Sequence, residues 1–142
     1  MSVGEILASK GREVITTNAD ASLEEVCNLL TRHKVGATVV LDPQGKVCGI
    51  VSERDIVRHI ARHGAKALSD KVSTSMTEKV IHCVDTDSID VAMQKMTVGR
   101  FRHLPVIMKG ELRGIISIGD VVKRKIEQAE QDAEDLKHYI AG

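Results

Sequence analysis

Two short stretches of this 142-residue chain carry the side chains best placed for chemistry. Gly49-Ile50-Val51-Ser52-Glu53-Arg54-Asp55 recurs 65 residues later as Gly114-Ile115-Ile116-Ser117-Ile118-Gly119-Asp120. In each, an apolar strand runs through a turn into a helix that starts at the serine. A carboxylate three residues past that serine can accept two hydrogen bonds from a vicinal diol such as ribose. The free amides of a helix start, with their partial positive charge, suit a phosphate. The serine adds a small hydroxyl, and the strand residues can sandwich a flat base. Ser52-x-x-Asp55 and Ser117-x-x-Asp120 also fit a capping box, in which Ser and Asp only satisfy helix-end amides. The residues alone leave both readings open.

Other reactive side chains point to less. His59 and His63 sit one helical turn apart, as zinc ligands can. Arg58 and Arg62 flank them and no third ligand is evident, so a solvated helix face is expected and no metal. His82 and His103 suit acid–base work, yet no Ser or Cys nucleophile motif accompanies them, and no catalytic residue is assigned. Cys27, Cys48 and Cys83 lack paired spacing, which reads as a reduced, cytoplasmic chain; Cys27 and Cys48 look like small core residues. Lys plus Arg equal Asp plus Glu at 20 each, so no net field favours a nucleic acid or a membrane. Lys123-Arg124-Lys125 is a basic run of the kind that usually ends a solvated helix. Phe101 and Tyr139 are the only aromatics, too few to stack a single strand. No apolar run approaches the ~18 residues of a membrane span, and the N-terminus lacks a signal-peptide pattern.

The elements that must position the two turns also repeat. A short amphipathic piece, Val3 to Leu7, precedes a strand at Val14-Ile15-Thr16. Ser22-Leu23-Glu24-Glu25 is a capping box opening a helix that buries Leu23, Val26, Cys27 and Leu30, with Gly36 after its end. Ala37–Leu41 is a strand, Asp42-Pro43-Gln44-Gly45 a turn, and Lys46–Val51 the returning arm. A helix from Ser52 to about His63 stops at Gly64. After a polar linker at 65–71 the pattern restarts. Val72–Met76 echoes Val3–Leu7, Val80-Ile81 echoes Val14-Ile15, and Ile89, Ala92, Met93 and Met96 echo the first helix. His103–Ile107 echoes Ala37–Leu41, and Lys109-Gly110 replaces the longer turn. The prediction is an α/β fold of two strand–helix–strand–strand–helix repeats, 1–66 and 67–126, with their sheets packed together and a helical tail at 127–142. Neither repeat of ~60 residues would bury much alone.

These motifs, together with Arg102-His103-Leu104-Pro105-Val106, resemble the cystathionine-β-synthase-type (CBS) domain pair, also called a Bateman module, over about residues 3–126. The likeness is closest to small stand-alone bacterial pairs. It implies regulatory binding of adenosine nucleotides in clefts between the copies, with the Asp-bearing turn of one copy facing the first strands of the other. One implied pocket takes Ile115, Ser117 and Asp120 with Ile15, Val35, Gly36 and Ala37. The other takes Ile50, Ser52, Arg54 and Asp55 with Ile81, Phe101, Arg102, His103 and Pro105. Lys10 is a further nucleotide-binding candidate. AMP is the expected ligand, with ADP, ATP or NAD as alternatives. The expected role is a nucleotide sensor acting on another protein, not an enzyme. A ligand-free dimerisation module, or an enzyme using NAD as cosubstrate, are the alternatives. Family habit also implies a homodimer.

Two further expectations concern detail. Gly119 stands where the first copy has Arg54, and Gly36-Ala37 where the second has Arg102-His103. The Asp120 pocket, lined by small residues, should therefore be primary, with Arg54, Arg102 and His103 reading phosphate across the pseudo-twofold. Beyond the second copy, Val122, Ile126, Ala129, Ala133, Leu136 and Ile140 form a heptad seam that should pack on a module surface, its own or a partner's.

Overall fold

The computed structural model describes residues 1–141. In chain order it holds α1 (Val3–Lys10), β1 (Thr16–Asn18), α2 (Leu23–His33), β2 (Ala37–Leu41), β3 (Val47–Ser52) and α3 (Glu53–His63). Two 3₁₀ turns follow, Ala65–Ser69 and Val72–Thr74. The second half holds α4 (Ile89–Gly99), β4 (His103–Met108), β5 (Glu111–Ser117) and α5 (Ile118–Ala141). Among the described residues, no helix is long and apolar enough to cross a membrane.

The capping box at Ser22 forms in full, with Glu25 N donating to Ser22 Oγ and Ser22 N to Glu25. The residues that cap the C-termini of α2 and α4 are not glycines. Lys34 and Arg100 close α2 and α4 in the left-handed conformation, at φ 54° and 57°. Gly36 is thus not the stop signal of α2. Its smallness has another cause, given below.

In the first copy β1 runs parallel to β2, and β2 antiparallel to β3. The strand begins at Thr16 rather than Val14, and Ile15 sits just before it, its carbonyl accepting from Val39 N at 3.3 Å and Thr38 Oγ1 at 2.6 Å. In the second copy β4 and β5 pair alone, and the expected strand at Val80-Ile81 is absent. One parallel bridge, Cys83 to Val106, remains of it. Pro105 explains the loss. It holds the place of Val39 but has no N–H to donate, and Leu104 holds the place of Thr38 without a hydroxyl.

Two cores result, and each borrows an element from the other repeat. Val3, Ile6 and Leu7 of α1 pack with Ile89, Met96, Leu104 and Ile116 of the second copy. Val72 and Met76 pack instead with Leu23, Val26 and Val51 of the first. The exchange is symmetric in the backbone: Val3 N donates to Asp87 O, and Val72 N to Ala21 O. Only the first of these borrowed segments is an α-helix. Ser73, Thr74 and Ser75 compete for backbone hydrogen bonds in the second, and it stays a 3₁₀ turn.

The polar linker expected at 65–71 also folds as a 3₁₀ turn, with Ala67 fully buried. It brings Asp70 to 2.9 Å from His59 Nε2. The His59 side chain is only 11% exposed, so this part of α3 is not the solvated face expected.

Gly114 sits where α1 crosses β5. A Cβ there would lie 2.8 Å from Leu7 Cδ2, inside contact distance in a filled core. Gly114→Val should therefore destabilise the fold by about 1–3 kcal/mol, the usual range for overpacking, read as a lower urea midpoint.

Candidate functional site

Each turn is built by a strand ending in serine and a helix starting on the next residue. Asp55 Oδ2 accepts from Ser52 N at 2.9 Å and Ser52 Oγ at 3.0 Å, while Asp55 N donates back to Ser52 Oγ at 3.3 Å. Asp120 Oδ2 accepts from Ser117 N at 2.8 Å, and Asp120 N donates to Ser117 Oγ at 3.1 Å. Capping is thus realised at both turns. It uses one carboxylate oxygen of each aspartate. The second oxygen of Asp55 has only the Arg58 guanidinium near it, at 3.6 Å. Capping and ligand contact are therefore compatible at Asp55.

The two turns come together: Glu53 of the first lines one groove with Ser117, Ile118 and Gly119 of the second. Within each copy the turn is tied to the preceding loop in the same way, Glu53 N donating to Gly36 O and Ile118 N to Arg102 O, both at 2.9 Å. A Cβ on Gly36 would lie 3.1 Å from the His103 ring, so glycine is needed there for close approach. Burial pushes the His103 pKa down; Lys10 and Arg102 push the same way, against Glu53 and Asp120. His103 is thus a neutral imidazole at neutral pH, set between the two turns.

A cavity of about 410 Å³ opens on the Asp55 side. It brings together all nine residues expected there: Ile50, Ser52, Arg54 and Asp55 from the first copy, Ile81, Phe101, Arg102, His103 and Pro105 from the second. Ile50, Ile81, Phe101 and Pro105 give it apolar walls. Sequence reasoning missed Arg58, Lys79 and Arg100, which also line it. Arg58 was legible as the residue one turn after Arg54 on α3. Lys79 was legible too, since it stands to Val72 as Lys10 stands to Val3. Five cations thus face two carboxylates, Glu53 and Asp55. Arg54, Lys79, Arg100 and Arg102 make no ion pair among the described residues.

The Asp120 side differs from expectation. Lys10 Nζ lies 2.7 Å from Asp120 Oδ2 and 2.8 Å from Ile115 O. Burial raises the Asp120 pKa, but hydrogen bonds from Lys10 and Ser117 outweigh it and hold the carboxyl below its usual range. Of the residues expected around Asp120, Ser117 bonds to it directly and Ile115 is tied to it through Lys10, but the set does not line one cavity. Ala37 lines the Asp55 cavity. Val35, Gly36 and Ser117 line an adjoining groove of about 700 Å³ beside α2 and α3, which meets the Asp55 cavity at Glu53, Arg102 and His103. Ile15, Ile115 and Asp120 line neither. The cause of the asymmetry is α1. As a full helix it delivers Lys10 onto the second turn. Its counterpart ties its backbone to Ile50 through Thr77, at 2.8 and 3.0 Å, and leaves Lys79 on the cavity wall.

Comparison with known proteins agrees with this architecture. Residues 3–62 and 69–127 each match the CBS domain family. The structure superposes on the CBS-domain containing protein ATU1752 from Agrobacterium tumefaciens with a TM-score of 0.85 at 48% identity, over 87% of this chain and 92% of that one. The CBS domain protein PAE2072 from Pyrobaculum aerophilum, solved as a complex with AMP, gives 0.76 at 31% identity over 84% and 89%. The mitochondrial CBS domain-containing protein CBSX3 of Arabidopsis thaliana is 34% identical over 148 residues, 99% of this chain and 72% of that one. Two matched copies, exchanging their leading segments around a pseudo-twofold that joins the Ser-x-x-Asp turns, place this chain in the CBS domain family as a CBS domain pair.

Proposed function

We propose that this module binds an adenine nucleotide, AMP first among candidates, in the Asp55 cavity, and regulates a partner protein rather than catalysing a reaction. One observation carries the reading. The cavity couples apolar walls to a carboxylate with a spare oxygen and to a set of cations without carboxylate partners. That is the complement of a base, a ribose and a phosphate. Ile81 and Ile50 would hold the base, Asp55 the ribose hydroxyls, and Arg54 with Arg102 the phosphate through paired hydrogen bonds. The AMP complex of the Pyrobaculum relative supports the ligand class. ADP, ATP and NAD share the adenosine half and remain the alternatives. The module acts as a homodimer in this reading.

Binding should be visible as stabilisation. AMP at 100-fold over its dissociation constant should add about 2.7 kcal/mol to the unfolding free energy, a shift of several degrees in a thermal melt. Adenosine at the same molar concentration should give less, because it lacks the phosphate. A melt that no adenine nucleotide moves would leave the ligand-free dimerisation module as the better reading.

A further inference from the structure

We propose that α5 beyond Lys125 pairs with the same helix of a second copy as a parallel two-stranded coil. This rests on the homodimer reading but adds a defined partner surface and orientation. Ile126, Leu136 and Ile140 are 54%, 57% and 75% exposed, and Ala129 and Ala133 are exposed between them. They lie on one stripe with Val122, alternating four and three residues apart. From Ile126 onward, among the described residues, the side-chain hydrogen bonds and ion pairs stay within the helix, such as Gln128 to Asp132 and His138 to Glu134. The seam therefore does not fold back on its own module. A lone helix of this length is marginal in water, and its stability has to come from packing its apolar face. Extended at ~1.5 Å per residue, the segment projects roughly 22 Å.

The flanking charges choose the occupant and its direction. In a parallel pair, each residue just before an inner seam position faces the residue five further along the other helix. Lys125 then meets the second copy's Glu130, and Asp132 meets its Lys137. Twofold symmetry repeats both attractions. An antiparallel pair centred on the same seam sets Glu130 against Glu130, Asp132 against Asp132, and Lys123 against Lys137. Exposed ion pairs contribute little stability, but a choice between all-opposite and like-charged neighbours decides orientation. Lys125 now donates to Asp90 at 2.6 Å, and its ammonium has further donors to share. Ala129 and Ala133 at the middle of the seam let the two helices approach closely.

The test is disulfide trapping in the full chain, with Cys27→Ser and Cys48→Ser to remove the partly exposed thiols and buried Cys83 retained. Leu136→Cys should oxidise to a species of twice the mass, because the parallel coil brings the two copies' positions within bridging distance. An antiparallel coil sets position 136 against 126, roughly 15 Å from its own counterpart. A mixture of tagged Leu136→Cys and untagged Ile126→Cys chains that links only across types would overturn the parallel arrangement. Absence of either bond in a chain that light scattering shows to be dimeric would overturn the coil while leaving the dimer intact. A monomeric mass would overturn both. Leu136 projects from the module, so its substitution leaves the core untouched.

Discussion

Arg102→Ala is expected to weaken AMP binding by about 1.5–3 kcal/mol, roughly 10- to 150-fold, while adenosine affinity hardly changes. The magnitude is that of a hydrogen bond to a charged group. Arg102 begins the second hairpin at the mouth of the cavity, and its side chain has no carboxylate to hold it in the free protein. Its structural duty belongs to the backbone, where its carbonyl accepts from Ile118 N at 2.9 Å. Alanine keeps that bond. The fold should therefore survive, and the loss should fall on whichever ligand carries a phosphate. Arg54→Ala should behave alike, since Arg54 lies on the first turn of α3 across the same cavity. Calorimetry with both ligands on parent and variants decides the matter. Equal losses for AMP and adenosine would mean that the arginines shape the cavity. No loss for either would place the phosphate on Arg58, Lys79 or Arg100 instead.

The turns were legible because both strand and helix signals repeat with fixed spacing, whereas the crossed cavity came from the family resemblance, since spacing alone does not show which copy faces which. Three features escaped. Pro105 was seen as part of a motif, not as the missing donor that leaves Ile81 outside any strand. Ser73, Thr74 and Ser75 were passed over as an echo of α1, although their hydroxyls disfavour the helix that Val3–Lys10 forms. That difference decides which turn receives a lysine. Lys10 was named as a ligand contact, and its ion pair with Asp120 in the free protein was not foreseen. The two copies thus carry similar motifs and unlike pockets. A long-range ion pair between residues 10 and 120 has no periodicity to announce it. The exchange of leading segments between cores hides for the same reason, because apolar residues fit either core by pattern alone.

The unlike pockets give the second large effect. Asp55→Ala should weaken AMP and adenosine together, by about 1.5–3 kcal/mol for each hydrogen bond lost to the ribose hydroxyls, and hence by 100-fold or more if both bonds go. Asp120→Ala should leave both affinities near the parent value. Each variant gives up a helix cap worth about 1 kcal/mol, so stability alone does not separate them. Asp55→Asn keeps an acceptor for the Ser52 amide and guards against a folding artefact. It should still lose the charged component of the ribose contact. The asymmetry follows from what each carboxylate already holds. Asp55 keeps an oxygen toward an open cavity, with Arg58 no closer than 3.6 Å. Asp120 carries Lys10 at 2.7 Å on Oδ2, the oxygen that also caps Ser117, and it does not line the cavity, so a ligand there would meet a carboxylate already neutralised by an ammonium. The opposite result, with Asp120→Ala disabling and Asp55→Ala neutral, would move the ligand to the second turn. Lys10→Met would then change affinity strongly, because the ligand and Lys10 would share one carboxylate. With the ligand at Asp55, Lys10→Met should lower only the stability of the α1 crossing and leave AMP affinity unchanged.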